Sequence, residues 1–136
     1  MKNYLDKILS PKEIIKKIGV FPRTAKSKVS MCHGVFDLVH PGHIRHLTYT
    51  KSKSSILIVS ITSDFHVKKA DLRPYVPQKL RAENLAALEF VDYVLIDENE
   101  TPITNIKKIK PDYFVKGYEY IKSKKGNPKT IEEKNV

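Results

Sequence analysis

Two histidines three residues apart, His40 and His43, are the side chains of this sequence best suited to chemistry on a phosphate group. Between them lies Pro41-Gly42, and proline favours the first turn of a helix, where its missing N–H costs nothing. Residues i and i+3 share one helix face, so both imidazoles would lie at the same helix start. The N–H groups and partial positive charge of a helix N-terminus attract anions, so the pattern predicts a phosphate site.

Two other interpretations of the histidine pair stay open. The histidines could simply cap the helix, with Gly34 doing no more than turning the chain before it. Two histidines one helical turn apart could also bind zinc. No cysteine pair and no third ligand stand at a suitable spacing for zinc, so no metal ligand is assigned.

The rest of the chain must place this loop and helix, and its pattern is that of an α/β protein. From Val29 onward, short β-branched runs alternate with helical segments, which is typical of a parallel sheet with helices on its faces. The predicted strands are 28–32, 56–61, 93–96 and 113–115. The predicted helices are 11–18, 41–51, one opening at Pro77 with Leu80, Leu85 and Leu88 on its inner side, and one through 103–109.

Polar residues follow all four predicted strands, in 34–43, 62–64, 97–99 and 116–120. The carboxyl ends of parallel strands lie along one edge of the sheet, which is where open α/β sheets bind ligands. The position of these residues therefore supports a site independently of the histidines.

Composition restricts the class of protein. The 136 residues suit a single domain, and no apolar run could cross a membrane. The one cysteine, Cys32, fits a reducing compartment and a buried strand position, so we expect a cytoplasmic protein; a reactive thiol is the weaker alternative. The net charge of +10 comes mainly from residues 1–28, with eight basic and two acidic side chains, and no stacking aromatics accompany them, so no nucleic-acid partner is expected.

The loop resembles the G-x-F-D-x-x-H-x-G-H signature of the nucleotidylyltransferase (cytidylyltransferase-like) superfamily. The matching residues are Gly34, Phe36, Asp37, His40, Gly42 and His43. The resemblance covers about 29–120 and is strongest to the adenylyltransferase domain of bacterial heptose-phosphate enzymes, often fused to a sugar kinase. It is carried further by Ser63-Asp64, Val67-Lys68, Arg73-Pro74, Arg81, Val91-Asp92, Glu100-Thr101-Pro102, Lys110-Pro111-Asp112 and Val115-Lys116-Gly117.

The resemblance implies a Rossmann-like three-layer α/β/α fold with a parallel sheet. It implies transfer of a nucleoside monophosphate, AMP in preference, from a triphosphate to a sugar phosphate, with release of pyrophosphate and Mg²⁺ as partner of the triphosphate. A homodimer and a fused sugar kinase domain are further expectations. A CTP-dependent enzyme acting on a polyol phosphate or phosphonate is one alternative, and an inactive nucleotide-binding module is another.

Residue roles follow from the same resemblance. The catalytic residues would be His40, His43 and Lys68; the nucleotide-binding residues Gly34, Val35, Phe36, Gly42, Arg81, Lys116 and Gly117; the acceptor-binding residues His33 and Asp37. Some roles have structural alternatives: Arg81 could instead pair with Glu83 or Asp92, and Asp37 could fix the loop or form an Asx-turn.

The sequence divides into an N-terminal helical extension and connector (1–28), the nucleotidylyltransferase domain (29–120) and a polar tail (121–136). After Tyr120 we expect no further strand and no Ser/Thr-rich turn opening a final helix, although the resemblance would place both there. The sequence therefore looks cut short relative to the family.

Overall fold

In the part of the chain that the structure describes, four strands form one central sheet. The computed structural model describes residues 3–67 and 74–116. The strands are β1 (Val29–Gly34), β2 (Ile56–Thr62), β3 (Tyr93–Asp97) and β4 (Tyr113–Phe114). The α-helices are α1 (Pro11–Ile18), α2 (Pro41–Ser52), α3 (Gln78–Ala86) and α4 (Ile103–Ile109), with short 3-10 helices at Tyr4–Lys7, Ala25–Ser27 and Asp64–His66.

The sheet order is β3-β2-β1-β4, and every neighbouring pair is parallel. Helices α2 and α3 pack on one face, where Leu47 and Leu85 join strand residues such as Val59 in one buried cluster. Helices α1 and α4 cover the other face, where Ile14 and Ile106 are buried with the strands. The predicted three-layer α/β/α fold with a parallel sheet is therefore confirmed.

Strand β1 is longer than its sequence indicates. Its predicted end was near Cys32, but His33 and Gly34 continue the pairing opposite Ser60 and Ile61 of β2. Polar and glycine residues carry no strand signal of their own, so only the partner strand shows that pairing extends this far. The extension brings the start of the loop that joins β1 to α2, residues 34–40 (the glycine loop), to the carboxyl edge of the sheet.

The inner face of α3 differs from the prediction. Leu80 is 49% exposed rather than buried, whereas Leu85 is buried and Leu88 packs against the same cluster. The inward stripe of α3 begins at Arg81, which has no exposed surface, and residue 80 lies on the opposite side of a helix with 3.6 residues per turn. The buried face of this helix thus combines an arginine with Ala82, Leu85 and Ala86.

The N-terminal segment packs onto the sheet. Ile8 forms a parallel bridge with Val94 of β3, and Ser10 then begins α1 with a capping box to Glu13. Hydrogen bonds from the backbone and side chain of Ser10 lower the pKa of the Glu13 carboxyl. Among the described residues, no helix is both long and apolar enough to cross a bilayer. The predicted tail at 121–136 lies outside the described residues.

Candidate functional site

The turn between β1 and α2 is tight because of one glycine and one ring. Phe36 adopts a left-handed backbone conformation (φ 50°), and its buried ring lies against Gly34. A Cβ atom at position 34 would lie 2.9 Å from Cε2 of Phe36, too close for any larger residue without a shift. Gly34 therefore allows the ring of Phe36 to fold under the loop, 5.2 Å from the ring centroid of His43.

The two histidines cap α2 with each other. The amide of Gly42 donates to Nδ1 of His40 at 3.0 Å, and the amide of His40 donates to Nδ1 of His43 at 3.2 Å. The ring centroids lie 4.0 Å apart with 34° between the planes. A nitrogen that accepts a backbone N–H cannot carry a proton, so both neutral rings carry theirs on Nε2.

Gly42 has a steric role in this arrangement. A Cβ atom at position 42 would lie 2.7 Å from Cε1 and 3.1 Å from Nδ1 of His40. The ring of His40 therefore reaches over the first turn of α2 only because position 42 has no side chain. The predicted juxtaposition of His40, Gly42 and His43 at the helix start is what the structure shows, although their roles in binding and catalysis stay predictions.

The helix start is accessible. His40 is exposed, and beside it lies a shallow depression of about 440 Å³ lined by Val39, His40, Pro41, Ile44 and Arg45. The partial positive charge of a twelve-residue helix is directed at this surface. Imidazole N–H groups and a helix N-terminus together suit the oxygens of a phosphate.

His33, an expected acceptor-binding residue, lies at the end of β1 and contacts the neighbouring strand. Its Nδ1 lies 2.8 Å from the hydroxyl of Ser60, and its Nε2 lies 3.2 Å from the hydroxyl of Thr62. Hydroxyls can donate or accept, so they hold the ring upright at the carboxyl edge in either tautomer.

Asp37 anchors the loop across the fold. Its Oδ2 accepts the amide N–H of Tyr75 at 2.9 Å and its Oδ1 accepts that of Val76 at 2.8 Å. The partners are 38 and 39 residues away, so these bonds are not the local Asx-turn that was one alternative. The interpretation in which Asp37 fixes the loop is the one these bonds favour.

Arg81 differs most from its predicted place. Its side chain has no exposed surface, and its predicted role in nucleotide binding stays a prediction. Its ion pair is with Asp64, at 2.6 Å, so the alternative pairing with Glu83 or Asp92 is wrong. The acid at 92 pairs with Lys51 at 2.7 Å instead. Arginine is rarely fully buried, so the hydrophobic pattern predicts Leu80 rather than Arg81 on the inner face of α3.

The remaining predicted residues are distributed between loop and edge. The carbonyl of Val35 accepts a hydrogen bond from Arg81, within the loop. Lys116 follows β4, with Nζ 5.7 Å from the ring centroid of Phe114. Lys68 and Gly117 lie outside the described residues, so their roles stay predictions.

Two polar residues near the site, Ser63 and Asp97, are buried, which the sequence does not predict. Asp97 ends β3 without exposed surface, and its Oδ1 accepts from the backbone of Asn99. Its backbone carbonyl accepts the amide of Ser63, which joins the ends of β2 and β3. The sequence signal that could have found them is their position directly after two buried strands.

The single cysteine is structural. Cys32 is fully buried in β1, and burial raises the pKa of its thiol to about 12. A thiol with that pKa forms almost no thiolate near neutral pH, so the alternative of a reactive thiol is not supported. Among residues 3–67 and 74–116, no three histidine, cysteine or acidic side chains come together as metal ligands would.

Comparison with known proteins agrees with the signature in the loop. The cytidylyltransferase-like family model matches residues 31–135. The chain is 41% identical over 117 residues to the bifunctional protein HldE of Helicobacter pylori (strain ATCC 700392 / 26695), covering 85% of this chain and 24% of that protein. It is 43% identical over 116 residues to the bifunctional protein HldE of Campylobacter fetus subsp. fetus (strain 82-40), covering 84% and 24%.

A solved structure has a similar fold. It is the crystal structure of the lipopolysaccharide core biosynthesis protein from Thermoplasma volcanium GSS1, with a TM-score of 0.60 and 25% sequence identity. The similarity covers 64% of this chain and 71% of that one. This chain spans about a quarter of the length of the curated relatives it matches.

Proposed function

Because this chain belongs to the cytidylyltransferase-like family, we propose that it transfers AMP from ATP to a sugar phosphate and releases pyrophosphate. The family and the HldE relatives indicate a nucleotidyltransferase. The nucleotide, the acceptor and the products are the part that we propose.

One observation carries the proposal: two imidazoles share a helix start, and each uses Nδ1 to accept a backbone N–H. In this tautomer each ring has its proton on Nε2, and an imidazole N–H is a group that can donate to phosphate oxygens. If the histidines only capped α2, one side-chain acceptor such as serine would serve as well. Reciprocal capping by two imidazoles in contact with each other supports an additional role.

The chemistry requires little of the protein beyond position and charge. An oxygen of the acceptor phosphate attacks the α-phosphorus of ATP, a new P–O bond forms, and the bond from the α-phosphorus to the oxygen bridging to the β-phosphorus breaks. Pyrophosphate leaves with that electron pair. The acceptor phosphate is already ionised, so no strong general base is needed, and alignment and neutralisation of charge lower the barrier.

The roles of His40 and His43 follow from this scheme. Their Nε2–H groups would donate to oxygens of the triphosphate, where negative charge builds up as pyrophosphate leaves. The N-terminus of α2 would add its partial positive charge at the same place. Lys68, which the resemblance identifies as catalytic, would bind phosphate from the chain that follows β2.

The acceptor would lie near the carboxyl ends of β1 and β2. The resemblance assigns His33 to the acceptor, and the hydroxyls of Ser60 and Thr62 hold its ring at this edge of the sheet. Lys116 and Gly117, beyond β4, would contact the nucleotide.

Mg²⁺ would arrive with the triphosphate and neutralise part of its charge. Asp37, the carboxylate within the glycine loop, already accepts two backbone amides, which suits anchoring better than metal binding. Mg²⁺ commonly keeps several waters and binds phosphate oxygens, so we propose no protein ligand for it.

The relatives are named bifunctional and are about four times as long as the matched segment. A sugar kinase in the full protein, as the resemblance implies, would supply a phosphorylated acceptor to this domain. A homodimer stays a prediction.

The test measures pyrophosphate release by the full-length protein with ATP, CTP, UTP or GTP, each with and without a heptose phosphate. We expect release only with ATP and the acceptor together. Thermal unfolding with each nucleotide adds an independent readout, since a ligand that binds the folded state raises its stability by about 2.7 kcal/mol at 100 times its Kd.

Release with CTP and a polyol phosphate would replace the proposal by its cytidylyltransferase alternative. Stabilisation by a nucleotide without any turnover would instead identify an inactive nucleotide-binding module. Neither stabilisation nor turnover with any nucleotide would overturn the proposal altogether.

A further inference from the structure

The guanidinium of Arg81 lies beneath the site and joins three separate segments of chain. Its Nη1 donates to the carbonyls of Val35 and Thr62, both at 2.8 Å, and its Nε donates to that of Val76 at 2.8 Å. The first carbonyl belongs to the glycine loop, the second ends β2, and the third precedes α3 by two residues. A planar fork of five N–H groups can satisfy acceptors in several directions at once, which a lysine cannot.

Val76 is held from both sides of its backbone. Its carbonyl accepts from Arg81, and its amide donates to Asp37 at 2.8 Å. Asp37 belongs to the same glycine loop as Val35, so the residue entering α3 is tied to that loop by a cation and by an anion. The two bonds fix both its distance and its rotation relative to the loop.

The chain leaving β2 is held at the same point. The carboxylate of Asp64 accepts from Nη2 of Arg81 at 2.6 Å, and its amide donates to the side chain of Gln78 at 2.8 Å. Asp64 and Val76 therefore both contact one buried arginine. Lys68, the predicted catalytic lysine, lies between them in the sequence.

From these contacts we infer that Arg81 is a positioning residue. It fixes the positions of Asp64 and Val76 against the loop between β1 and α2, which carries the His40–His43 pair at its end, and it does so without touching substrate. The consequence for catalysis rests on the proposed function. The set of hydrogen bonds that Arg81 makes to Val35, Thr62, Asp64 and Val76, called the clamp below, is a property of the fold that can be measured without turnover.

The test compares Arg81→Lys and Asp64→Ala with a matched control, Asp92→Ala. The control removes another ion pair, Lys51–Asp92, at 2.7 Å, whose acid side chain is 35% exposed compared with 41% for Asp64. Asp92 lies at the amino end of β2, away from the proposed site, where it accepts the amide N–H of Leu57. The Tyr75 and Val76 amides donate to Asp37, so their hydrogen exchange reports whether Val76, whose carbonyl Arg81 binds, stays in place against the loop.

In Arg81→Lys we expect exchange of the Tyr75 and Val76 amides to accelerate at least tenfold relative to the amide of Val59 in β2. We expect kcat/KM to fall about tenfold or more, chiefly through kcat. Asp64→Ala should show smaller changes in the same direction, and Asp64→Asn, which keeps an acceptor, should stay within about twofold of the wild type. The control should change neither amide exchange at 75 and 76 nor kcat/KM.

Unchanged exchange at Tyr75 and Val76 in both clamp variants would overturn the inference. Equal losses of kcat/KM in Asp64→Ala and Asp92→Ala would also overturn it, because they would reflect stability alone. If Arg81→Lys fails to fold, Asp64→Ala decides, since its side chain is partly exposed. Accelerated exchange in a protein whose wild type transfers no nucleotide would support the clamp while counting against the proposed function.

Discussion

The amide of His40 donates to Nδ1 of His43 at 3.2 Å, while Nδ1 of His40 accepts the amide of Gly42. This is a capping box in which both side chains are imidazoles, at positions where serine or threonine and glutamate or glutamine usually stand. The cap and the proposed phosphate site therefore use different nitrogens of the same two rings. Substitutions can separate the two functions.

Replacing the imidazoles with conventional capping residues should remove activity and keep the helix. Asparagine is a strong N-cap, and glutamine suits the third helical position, so His40→Asn and His43→Gln retain acceptors for the same amides. We expect each to lower kcat on the order of 100–1,000-fold, as loss of a transition-state donor does. Chemical denaturation should show free energies of unfolding within about 0.5 kcal/mol of the wild type, as for a cap exchanged for another.

A matched control for these variants is His46→Asn on the same helix. His46 lies beyond the capping box, and burial lowers the pKa of its imidazole. We expect its kcat to stay within a few-fold of the wild type. Normal turnover by His43→Gln would contradict the assignment of that ring to the triphosphate.

Gly42→Ala should reduce activity without destabilising the protein. Alanine is favoured over glycine within a helix by about 1 kcal/mol, yet its Cβ would lie 2.7 Å from Cε1 of His40. The ring must move away, and one proposed donor moves with it. Thermal unfolding and kcat should be measured together. We expect Gly42→Ala to unfold at a midpoint equal to or above that of the wild type, with a kcat at least about tenfold lower.

Cys32 should make the protein less stable at alkaline pH. Its folded pKa is raised to about 12 by burial, so between about pH 8.5 and 12 the unfolded state loses this proton and the folded state keeps it. The free energy of unfolding then falls with rising pH by up to about 1.4 kcal/mol per unit from this group. Denaturation of wild type and Cys32→Ala from pH 8 to 10 should show a shallower decline in the variant, and equal slopes would contradict the shift.

Arg23 should be essential for stability and irrelevant to turnover. It is buried and donates to the carbonyls of Gly19, Ile109 and Lys110, at the C-terminal ends of α1 and α4, and it pairs with Asp112 at 3.2 Å. Removing one partner of a buried pair costs about 3–5 kcal/mol, so Arg23→Met should lose about that much in denaturant titration.

The control for Arg23 is Lys28→Met. Lys28 also faces Asp112, but at 3.6 Å and with 33% of its side chain exposed. Lys28 is the partly exposed member of this pair, and Asp112 keeps its bonds to Arg23 and to the amide of Val29 when Lys28 is removed, so this variant should lose about 1 kcal/mol or less. Equal losses in the two variants would show that the buried carbonyl contacts of Arg23 contribute little.

The elements of this fold could be predicted because their signals are local. Four of the six residues in Ile56–Ile61 are β-branched, and proline marks the first turn of α1 and α2, so a parallel sheet with helices on its faces followed from pattern alone. The histidine pair could be placed because three residues make about one helical turn. Local chemistry was sufficient wherever a residue's partner was a near neighbour in the chain.

Contacts between residues far apart in the sequence could not be predicted from local patterns. Asp37 binds amides 38 and 39 residues away, and Arg81 binds carbonyls on three segments. Arginine usually lies on the surface, so periodicity assigned Leu80 to the core, and only the hydrogen bonds available inside the folded chain make a buried guanidinium stable. The sequence alone determined the fold class, the approximate positions of the strands and the paired imidazoles. Tertiary structure decided which charged residues support the loop, because their partners come together only when the sheet forms.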